Sequence, residues 1–336
     1  MLFYKITLLF IKNVFALIIF NEVFMNKEDA KIIFMGTPEI SANVLEAIIK
    51  DGYQVIAVIS QPDKPVGRKG ILEKTPTKKV AEQYGIDVYQ PRKIRLEYQI
   101  IQDLKPDLII TFAYGQIVPK EVLEAPKLGC INLHGSLLPK YRGAAPIQYA
   151  LINLEKTTGV TLMEMSEEMD AGKMFAKKEF PIDEEDNATS LFNKIAEAAK
   201  GLILEILPDF LKGNYPGVKQ HESLVTYAHM IKPEEEKLDS QMDIDHLLGW
   251  IKALSDEPGG YFYLDDKKLK IFKARIKERN NKTNLGEIVN ADKRGLDIQV
   301  NGGILSILEL QLEGKKKMDY KSFLNGNANL LGKTLK

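Results

Sequence analysis

The sequence feature that most constrains the fold is the run 130–147. Apolar residues alternate with Asn132 and His134, and the chain then breaks at Gly135 and Pro139. This pattern predicts a buried strand that ends in a loop. Because strand side chains alternate between two faces, Asn132 and His134 should project to one side. An amide and an imidazole would then stand next to each other at the end of the strand.

Burying an amide and an imidazole on one strand face costs free energy unless each finds a hydrogen-bond partner or a ligand. A candidate third group, Asp170, lies downstream in an Asp-Ala-Gly turn. A satisfied polar pair that caps the strand is the simpler interpretation. The small, rigid residues of 135–139 and 142–146 favour a binding site instead, because glycine lets a ligand approach the backbone and proline fixes φ.

The first part of the chain alternates apolar runs with helical patterns. Such alternation is typical of a parallel sheet wrapped by helices, in which ligands bind at the carboxyl ends of the strands. We therefore predict an α/β fold of the Rossmann type. The predicted strands are 31–34, 55–60, 107–112, 130–133, 159–165 and 174–180, and the predicted helices end at Lys50 and span 187–211.

A nicotinamide-dependent oxidoreductase is one alternative on this architecture. The dinucleotide fingerprint needs three glycines after the first strand. The residues there, Met-Gly-Thr-Pro-Glu at 35–39, contain one. Nicotinamide binding is therefore disfavoured.

Composition limits the remaining classes. The 336 residues suit two domains, and 45% hydrophobic content is enough for a packed core. The single cysteine excludes an internal disulfide framework and fits a reducing cytoplasm. With four histidines and that cysteine, no closely spaced ligand cluster is available, so we expect no metal site.

Cys130 raises the possibility of thiol catalysis, since it shares a strand face with His134. Residues four apart on a strand are separated by about 13 Å of rise. A cysteine in mid-strand is more often a small buried hydrophobe. We therefore expect Cys130 to be structural.

Residues 1–24 are rich in Phe, Leu and Ile. Their longest uncharged piece, 13–21, is 9 residues long, whereas a bilayer span needs about 20. No convincing signal-peptide cleavage site follows. Met25 looks like the natural start, so we expect 1–24 to be an extension outside the fold and expect no membrane association. A targeting segment and a membrane anchor are the alternatives.

The second part of the chain has a different pattern. Short alternating strands at 269–277, 285–290 and 296–300 follow a helical piece at 244–254, which is typical of a small antiparallel barrel. Residues 267–336 hold 16 Lys and Arg against 7 Asp and Glu, although the whole chain is neutral. This basic end indicates an anionic macromolecular partner, with a solvated basic surface as the alternative.

Residues 61–79 form a long charged segment with six basic residues, two acidic residues and three prolines. It cannot be helical throughout. A long charged loop in a compact domain is more often a binding element than a connector, although a solvated mobile loop is the alternative.

Several of these runs carry a resemblance to a known family. They are 34–38 (Phe-Met-Gly-Thr-Pro), 112–116 (Phe-Ala-Tyr-Gly-Gln), 129–148, 159–161 (Gly-Val-Thr) and 170–172 (Asp-Ala-Gly). Together they resemble the methionyl-tRNA formyltransferases. The resemblance implies a Rossmann-like formyltransferase domain at 25–212, a linker at 213–231 and an oligonucleotide-binding-type barrel at 232–336 that binds tRNA.

The resemblance also implies the reaction. A formyl group moves from N10 of 10-formyltetrahydrofolate to the α-amine of initiator methionyl-tRNA, for translation initiation. This acyl transfer between nitrogens needs a donor for the oxyanion, a proton carrier and a base. Asn132, His134 and Asp170 match those three needs, with Asp170 also holding the imidazole in one tautomer.

The binding residues follow from the same resemblance. The folate-binding run falls on Ser136, Leu137, Leu138 and Pro139, and Phe112, Tyr114 and Gly115 are expected to line the same pocket. The loop that wedges into the acceptor end of the tRNA falls on 61–79, with Arg68 its important arginine and Lys69 a phosphate neighbour. We expect a cytoplasmic monomer.

Two alternatives stay open. One is a folate-dependent formyltransferase or hydrolase that acts on a small amine, such as glycinamide ribonucleotide or an aminosugar. The segment 61–79 and the basic end argue against it, since a small substrate needs neither. The other is a non-catalytic RNA-binding module whose first domain is only a scaffold.

Overall fold

The computed structural model of the chain describes residues 25–66, 70–213 and 215–336. The predicted extension 1–24 and the loop residues Arg68 and Lys69 lie outside these ranges. Within them, no helix is both long enough and apolar enough to cross a membrane.

Strands and helices alternate along residues 25–231. The strands are β1 (Ile32–Gly36), β2 (Val55–Ile59), β3 (Lys64–Val66), β4 (Ile71–Glu73), β5 (Asp87–Tyr89), β6 (Leu108–Phe112), β7 (Cys130–His134), β8 (Arg142–Gly143), β9 (Thr157–Glu164), β10 (Met174–Pro181) and β11 (Tyr227–Ala228). The helices are α1 (Glu39–Lys50), α2 (Pro76–Gln83), α3 (Gln99–Leu104), α4 (Lys120–Leu123), α5 (Pro146–Ile152) and α6 (Ala188–Phe210), followed by a short 3-10 turn at Glu222–Leu224.

The main sheet of this part has the strand order β10-β9-β7-β6-β1-β2-β5. Strands β5, β2, β1, β6 and β7 are parallel, β9 pairs antiparallel with β7, and the edge strand β10 pairs antiparallel with β9. The predicted parallel sheet is confirmed, and the antiparallel edge is an addition to it.

Both faces of this sheet are covered. Ile32 and Phe34 of β1 pack into a core shared with α1 and α6, whereas Ile33 and Met35 pack into a core on the opposite face with Ile101. Burial on both faces explains why β1 and β6 read as near-continuous apolar runs. The carboxyl ends of β6 and β7 are thereby held at one edge of a rigid layer.

The segment 61–79 has more regular structure than predicted. Strands β3 and β4 pair as an antiparallel hairpin, and α2 begins at Pro76. The side chain of Thr75 accepts a hydrogen bond from the Lys78 N–H and caps this helix. A threonine cap before a proline at the first helical position is a strong start signal for a helix. The non-helical part of 61–79 therefore ends at Thr75, before the predicted end at Lys79.

The second part of the chain, from 232, folds around an antiparallel sheet. Its order is β12-β13-β16-β15-β14, with β17 paired to β16, as the sequence predicts. The strands are β12 (Gly260–Leu264), β13 (Lys267–Arg279), β14 (Ile288–Asp292), β15 (Gly295–Val300), β16 (Gly303–Leu312) and β17 (Met318–Asp319); the helices are α7 (Ile244–Ala253), α8 (Tyr320–Asn325) and a 3-10 turn at Pro233–Glu236.

The two parts meet where α7 packs on α5. Gly249 of α7 lies so close that an added Cβ would be 2.7 Å from the Leu151 carbonyl oxygen. Lys252 of the same helix donates a hydrogen bond at 2.5 Å to the carbonyl of Glu184, in the loop between β10 and α6. The second part therefore packs directly on the helix that follows the run 142–146.

Candidate active site at the carboxyl end of the parallel sheet

Strand β7 carries the predicted amide and imidazole. Ile131 and Leu133 point into the core beneath the sheet, so Asn132 and His134 lie together on the other face, as the alternation predicts. The Thr111 hydroxyl on neighbouring β6 donates to Asn132 Oδ1 at 2.9 Å. With its oxygen occupied in this way, the amide keeps its two N–H donors for another acceptor.

The His134 ring is buried, and its surroundings distinguish its two nitrogens. Nε2 lies 2.8 Å from the Tyr141 carbonyl oxygen. Because a carbonyl oxygen only accepts, Nε2 carries the hydrogen of this bond. Nδ1 is therefore the nitrogen left for proton transfer. The tautomer is set by the Tyr141 carbonyl rather than by Asp170, which differs from the role that the sequence predicts for the carboxylate.

Asp170 lies in the loop between β9 and β10. Its Oδ2 is 3.6 Å from His134 Nδ1 and accepts a hydrogen bond from the Gly143 N–H at 2.9 Å. The backbone of Asp170 is left-handed, with φ +52°, a conformation that aspartate tolerates better than most residues. The fold thus brings the predicted carboxylate beside the predicted imidazole.

Gly172 lets this loop close against the end of β9. A Cβ at this position would lie 1.9 Å from the Glu164 carbonyl oxygen and 2.8 Å from its carbonyl carbon. No side chain fits such an approach, so glycine is required here. Gly172 therefore allows the tight loop that carries Asp170.

Residues from the predicted linker also enter the site. The Gln220 side chain donates to the carbonyl oxygens of Asp170 at 2.7 Å and of Gly172 at 2.9 Å. Strand β11 pairs in parallel with β8, and the Arg142 N–H donates to the Thr226 carbonyl at 2.9 Å. Sequence reasoning missed Gln220 and Thr226, because a glutamine that binds distant backbone carbonyls leaves no local pattern.

The run 135–139 mixes buried and accessible residues. Ser136 is buried and donates through Oγ to the Lys140 carbonyl at 2.7 Å. Leu138 is also buried, and its N–H donates to Thr161 Oγ1 at 3.1 Å. Leu137 and Pro139 are half-buried. The apolar surface that this run offers to a ligand therefore comes from Leu137 and Pro139.

In the run 112–115, the backbone is accessible to a ligand, whereas the aromatic side chains are buried. Phe112 is buried in the core below the sheet and Tyr114 in the core above it, and burial raises the pKa of the Tyr114 hydroxyl. The intervening Ala113 and the following Gly115 are exposed and have positive φ. The rings of Phe112 and Tyr114 therefore lie in the cores instead of lining a pocket, and the exposed part of this run is at Ala113 and Gly115.

Cys130 is structural in this site. Its side chain is buried, its Sγ donates to the Val122 carbonyl at 3.5 Å, and burial raises the pKa of the thiol to about 12. Such a thiol is not nucleophilic at neutral pH. Among the described residues, no three histidine, cysteine or acidic side chains are grouped as metal ligands.

The segment 61–79 is anchored at its base beside β2. Lys78 Nζ lies 2.6 Å from Asp63 Oδ2 and 2.7 Å from Gln90 Oε1, while Gln90 donates to Asp63 Oδ1 at 2.7 Å. The hairpin β3–β4 extends from this base with Ile71 and Leu72 about two-thirds exposed, at 66% and 69%.

Comparison with known proteins covers both parts of the chain. The family described as "Formyl transferase" matches residues 30–207, and "Formyl transferase, C-terminal domain" matches residues 230–328. The chain is 45% identical to a protein of Ligilactobacillus salivarius named methionyl-tRNA formyltransferase, over 88% of this chain and 94% of that protein. A protein of the same name from Bacillus velezensis is 42% identical, with the same coverage.

Solved structures share the fold. An N-formyltransferase from Helicobacter canadensis, in complex with folinic acid and dTDP-3-aminofucose, superposes with a TM-score of 0.64 at 21% identity, covering 86% of this chain and 100% of that one. HypX from Aquifex aeolicus, in complex with tetrahydrofolic acid, has a TM-score of 0.62 at 20% identity and covers 91% of this chain. The match spans about half of HypX, 51% of its length.

Proposed function

The chain belongs to the methionyl-tRNA formyltransferase family, and we propose that Asn132, His134 and Asp170 are the groups that carry out its reaction. It transfers the formyl group of 10-formyltetrahydrofolate to the α-amine of initiator methionyl-tRNA, for translation initiation. The observation that supports the site is the approach of Asp170 Oδ2 to His134 Nδ1 at 3.6 Å, because these residues come from separate segments of the chain.

The reaction needs three actions from the protein. The folate supplies a formyl group bound to N10, whose carbon is attacked by the amine of methionyl-tRNA. The formyl oxygen gains negative charge, the attacking nitrogen loses a proton and the leaving nitrogen gains one. For each of these three changes, one side chain of the site is proposed to act.

Asn132 stabilises the developing negative charge. Its side-chain oxygen accepts from Thr111, which directs its N–H donors away from the sheet and toward the reaction centre. A fixed neutral donor at an oxyanion typically contributes about 10²-fold or more to the rate.

Asp170 and His134 move the proton. Asp170 accepts it from the attacking amine, directly or through a water molecule. In the tautomer fixed by the Tyr141 carbonyl, His134 Nδ1 carries no hydrogen, so it accepts from Asp170 the proton that the amine gave up. The imidazolium formed in this way gives the same proton from Nδ1 to the leaving nitrogen, and the ring and the carboxylate return to their starting charges.

The folate lies against the runs 135–139 and 112–115. Ser136 and Leu138 fix the backbone of the first run, while Leu137 and Pro139 offer the apolar surface that suits a pterin. In the second run, Phe112 and Tyr114 anchor the main chain, and exposed backbone at Ala113 and Gly115 can read a ring edge. The described residues of these two runs therefore fit a bound folate.

The tRNA is held at two places. Arg68 and Lys69 contact its acceptor end from the segment 61–79, and the domain 232–336, whose residues 267–336 carry the basic excess, contacts its body. The linker 213–231 joins this domain to the catalytic domain 25–212. The enzyme works as a monomer in the cytoplasm.

The test of this function is an assay with purified methionyl-tRNA and 10-formyltetrahydrofolate. Glycinamide ribonucleotide and a nucleotide-linked aminosugar serve as control substrates, because other formyltransferases act on small amines. Formylation of methionyl-tRNA alone is the expected result. Turnover of a small amine at an equal or higher rate would contradict it.

The role of Arg68 is tested separately. Arg68→Ala should lower kcat/KM for methionyl-tRNA and leave the Kd for the folate unchanged, since phosphate contacts are independent of the pterin site. The described hairpin residue Lys64, exposed on the same segment, provides a charge-matched control as Lys64→Ala. An equal loss of folate and tRNA binding in Arg68→Ala would contradict the proposed contact.

A further inference from the structure

Gln220 reaches the loop that carries Asp170 from outside the catalytic fold. Its Nε2 donates to the Asp170 carbonyl oxygen at 2.7 Å and to the Gly172 carbonyl oxygen at 2.9 Å. These two carbonyls flank Ala171, so one side chain fixes both sides of the turn. Both hydrogen atoms of the Gln220 amide are thereby used.

Arg142 determines the orientation of this amide. Arg142 Nε donates to Gln220 Oε1 at 3.0 Å. An arginine offers only donors and a backbone carbonyl only accepts, so the amide oxygen must face Arg142 and the amide nitrogen must face the loop. A flipped amide would lose all three hydrogen bonds.

Arg142 is itself fixed. Its side chain is fully buried, at 0% exposure, and its guanidinium lies 2.8 Å from Glu222 Oε1 and 3.6 Å from Glu168 Oε1. The residue belongs to β8, which pairs with β11 of the linker. Arg142 therefore presents a rigid donor to Gln220, and the next residue, Gly143, donates its N–H to the Asp170 carboxylate.

We propose that Gln220 is a positioning residue for formyl transfer, which holds the main chain of the Asp170 turn so that the carboxylate meets both the Gly143 N–H and His134 Nδ1. This inference rests on the proposed function. Gln220 touches no substrate in this role. It acts through Asp170, and it makes the linker between the two domains part of the catalytic apparatus.

The local conformation explains why the turn needs such support. Asp170 has φ +52°, which a non-glycine residue adopts only at a cost in free energy. The side chain of Asp170 has one short hydrogen bond, to Gly143, so small rotations of its backbone would move the carboxylate away from His134. Displacements of about 1 Å at a reacting group can lower rates about 10²-fold.

The first test compares the full-length variants Gln220→Ala and Gln220→Glu with the wild-type enzyme. We expect each to lower kcat roughly 10- to 100-fold and to leave KM for 10-formyltetrahydrofolate within about twofold. Gln220→Glu keeps an acceptor for Arg142 but replaces both donors with a carboxylate oxygen, so Tm and circular dichroism check that each variant is folded before its kcat is compared. Gln99→Ala, which removes an exposed glutamine of α3 that donates to Asp103 Oδ1 at 2.9 Å, is the control and should keep full activity.

A double-mutant cycle with Asp170→Asn separates positioning from a general structural role. Asp170→Asn keeps the backbone carbonyl that Gln220 binds but removes the charge. If Gln220 acts through the carboxylate, adding Gln220→Ala to Asp170→Asn should lower single-turnover rates by no more than about threefold. The full 10- to 100-fold loss in that background would overturn the proposal.

Wild-type kcat in Gln220→Glu would overturn it equally, because that variant lacks both donors to the turn. These outcomes differ from failure of the proposed function. In that case the wild-type enzyme would not formylate methionyl-tRNA, whereas failure of the inference leaves wild-type formylation intact and Gln220 dispensable.

Discussion

The two halves of the site are built in opposite ways. Asn132 and His134 sit on β7, a central strand whose register with β6 and β9 fixes where each side chain points. Asp170 sits in a turn, and its place depends on Gly143, Gln220 and the close contact of Gly172 with Glu164. On the strand, the alternation of side chains between the two faces is enough to position Asn132 and His134. The conformation of the turn depends on contacts with residues that lie up to 50 positions away.

This difference predicts where the site is vulnerable. Changes near β7 that remove no reacting group should lower activity only slightly. Changes around the Asp170 turn should reduce activity even when they touch no reacting group, because the turn has no sheet to hold it.

The largest effects should come from the reacting groups of both halves. We expect His134→Ala and Asp170→Ala each to lower kcat for formyl transfer by at least about 10²-fold, since each removes a proton-transfer group. Rates are measured with saturating substrates, and circular dichroism and Tm report the fold. Wild-type rates in either variant would show that its half of the site is dispensable.

A smaller effect should follow from Gly172→Ala, which removes no functional group. The added methyl would collide with the Glu164 carbonyl, so the turn must shift and kcat should fall roughly 10- to 100-fold. Gly326→Ala is the matched control, because its Cβ would be 3.9 Å from the nearest atom. If Gly172→Ala and Gly326→Ala behaved alike, the turn would not depend on this approach.

On the strand side, loss of a supporting contact should be mild. Thr111→Val removes the hydroxyl that donates to Asn132 while keeping the volume of the side chain. We expect kcat to fall about threefold, the size of one neutral hydrogen bond, as measured in the same assay. A loss as large as that of Gly172→Ala would contradict the distinction between strand and turn.

The smallest effect on activity should come from Cys130→Ala, on the same strand face as Asn132. Its buried thiol packs in the core above the sheet and lies near the carbonyls of Val122 and Leu123. We expect unchanged kcat and a decrease of about 1 kcal/mol in the free energy of unfolding, measured by urea titration. A loss of several orders of magnitude in kcat with the fold preserved would restore thiol catalysis as an explanation.

The same difference explains what the sequence could and could not predict. The alternation around Asn132 and His134, the burial of Ile131 and Leu133 and the parallel sheet all follow from local patterns, so they were accessible to sequence reasoning. The Asp-Ala-Gly turn and the family resemblance identify Asp170. No local pattern identifies its partner Gln220, because their contact joins a side chain to a backbone carbonyl far along the chain.

The aromatic residues of 112–115 show a second limit. Phe112 and Tyr114 follow a buried strand, and their large apolar rings are equally suited to a ligand pocket and to the cores on the two faces of the sheet. Both rings lie in the cores. A sequence identifies such residues as apolar but does not say which neighbour covers them.

The burial of Cys130 has a practical consequence. It is the only cysteine of the chain, and a thiol whose pKa is raised to about 12 reacts slowly with alkylating reagents. A single thiol introduced on the surface, for example by Leu224→Cys at an exposed linker position, would therefore accept a fluorescent dye without removal of the native one. Such a dye would report on the linker while the enzyme turns over.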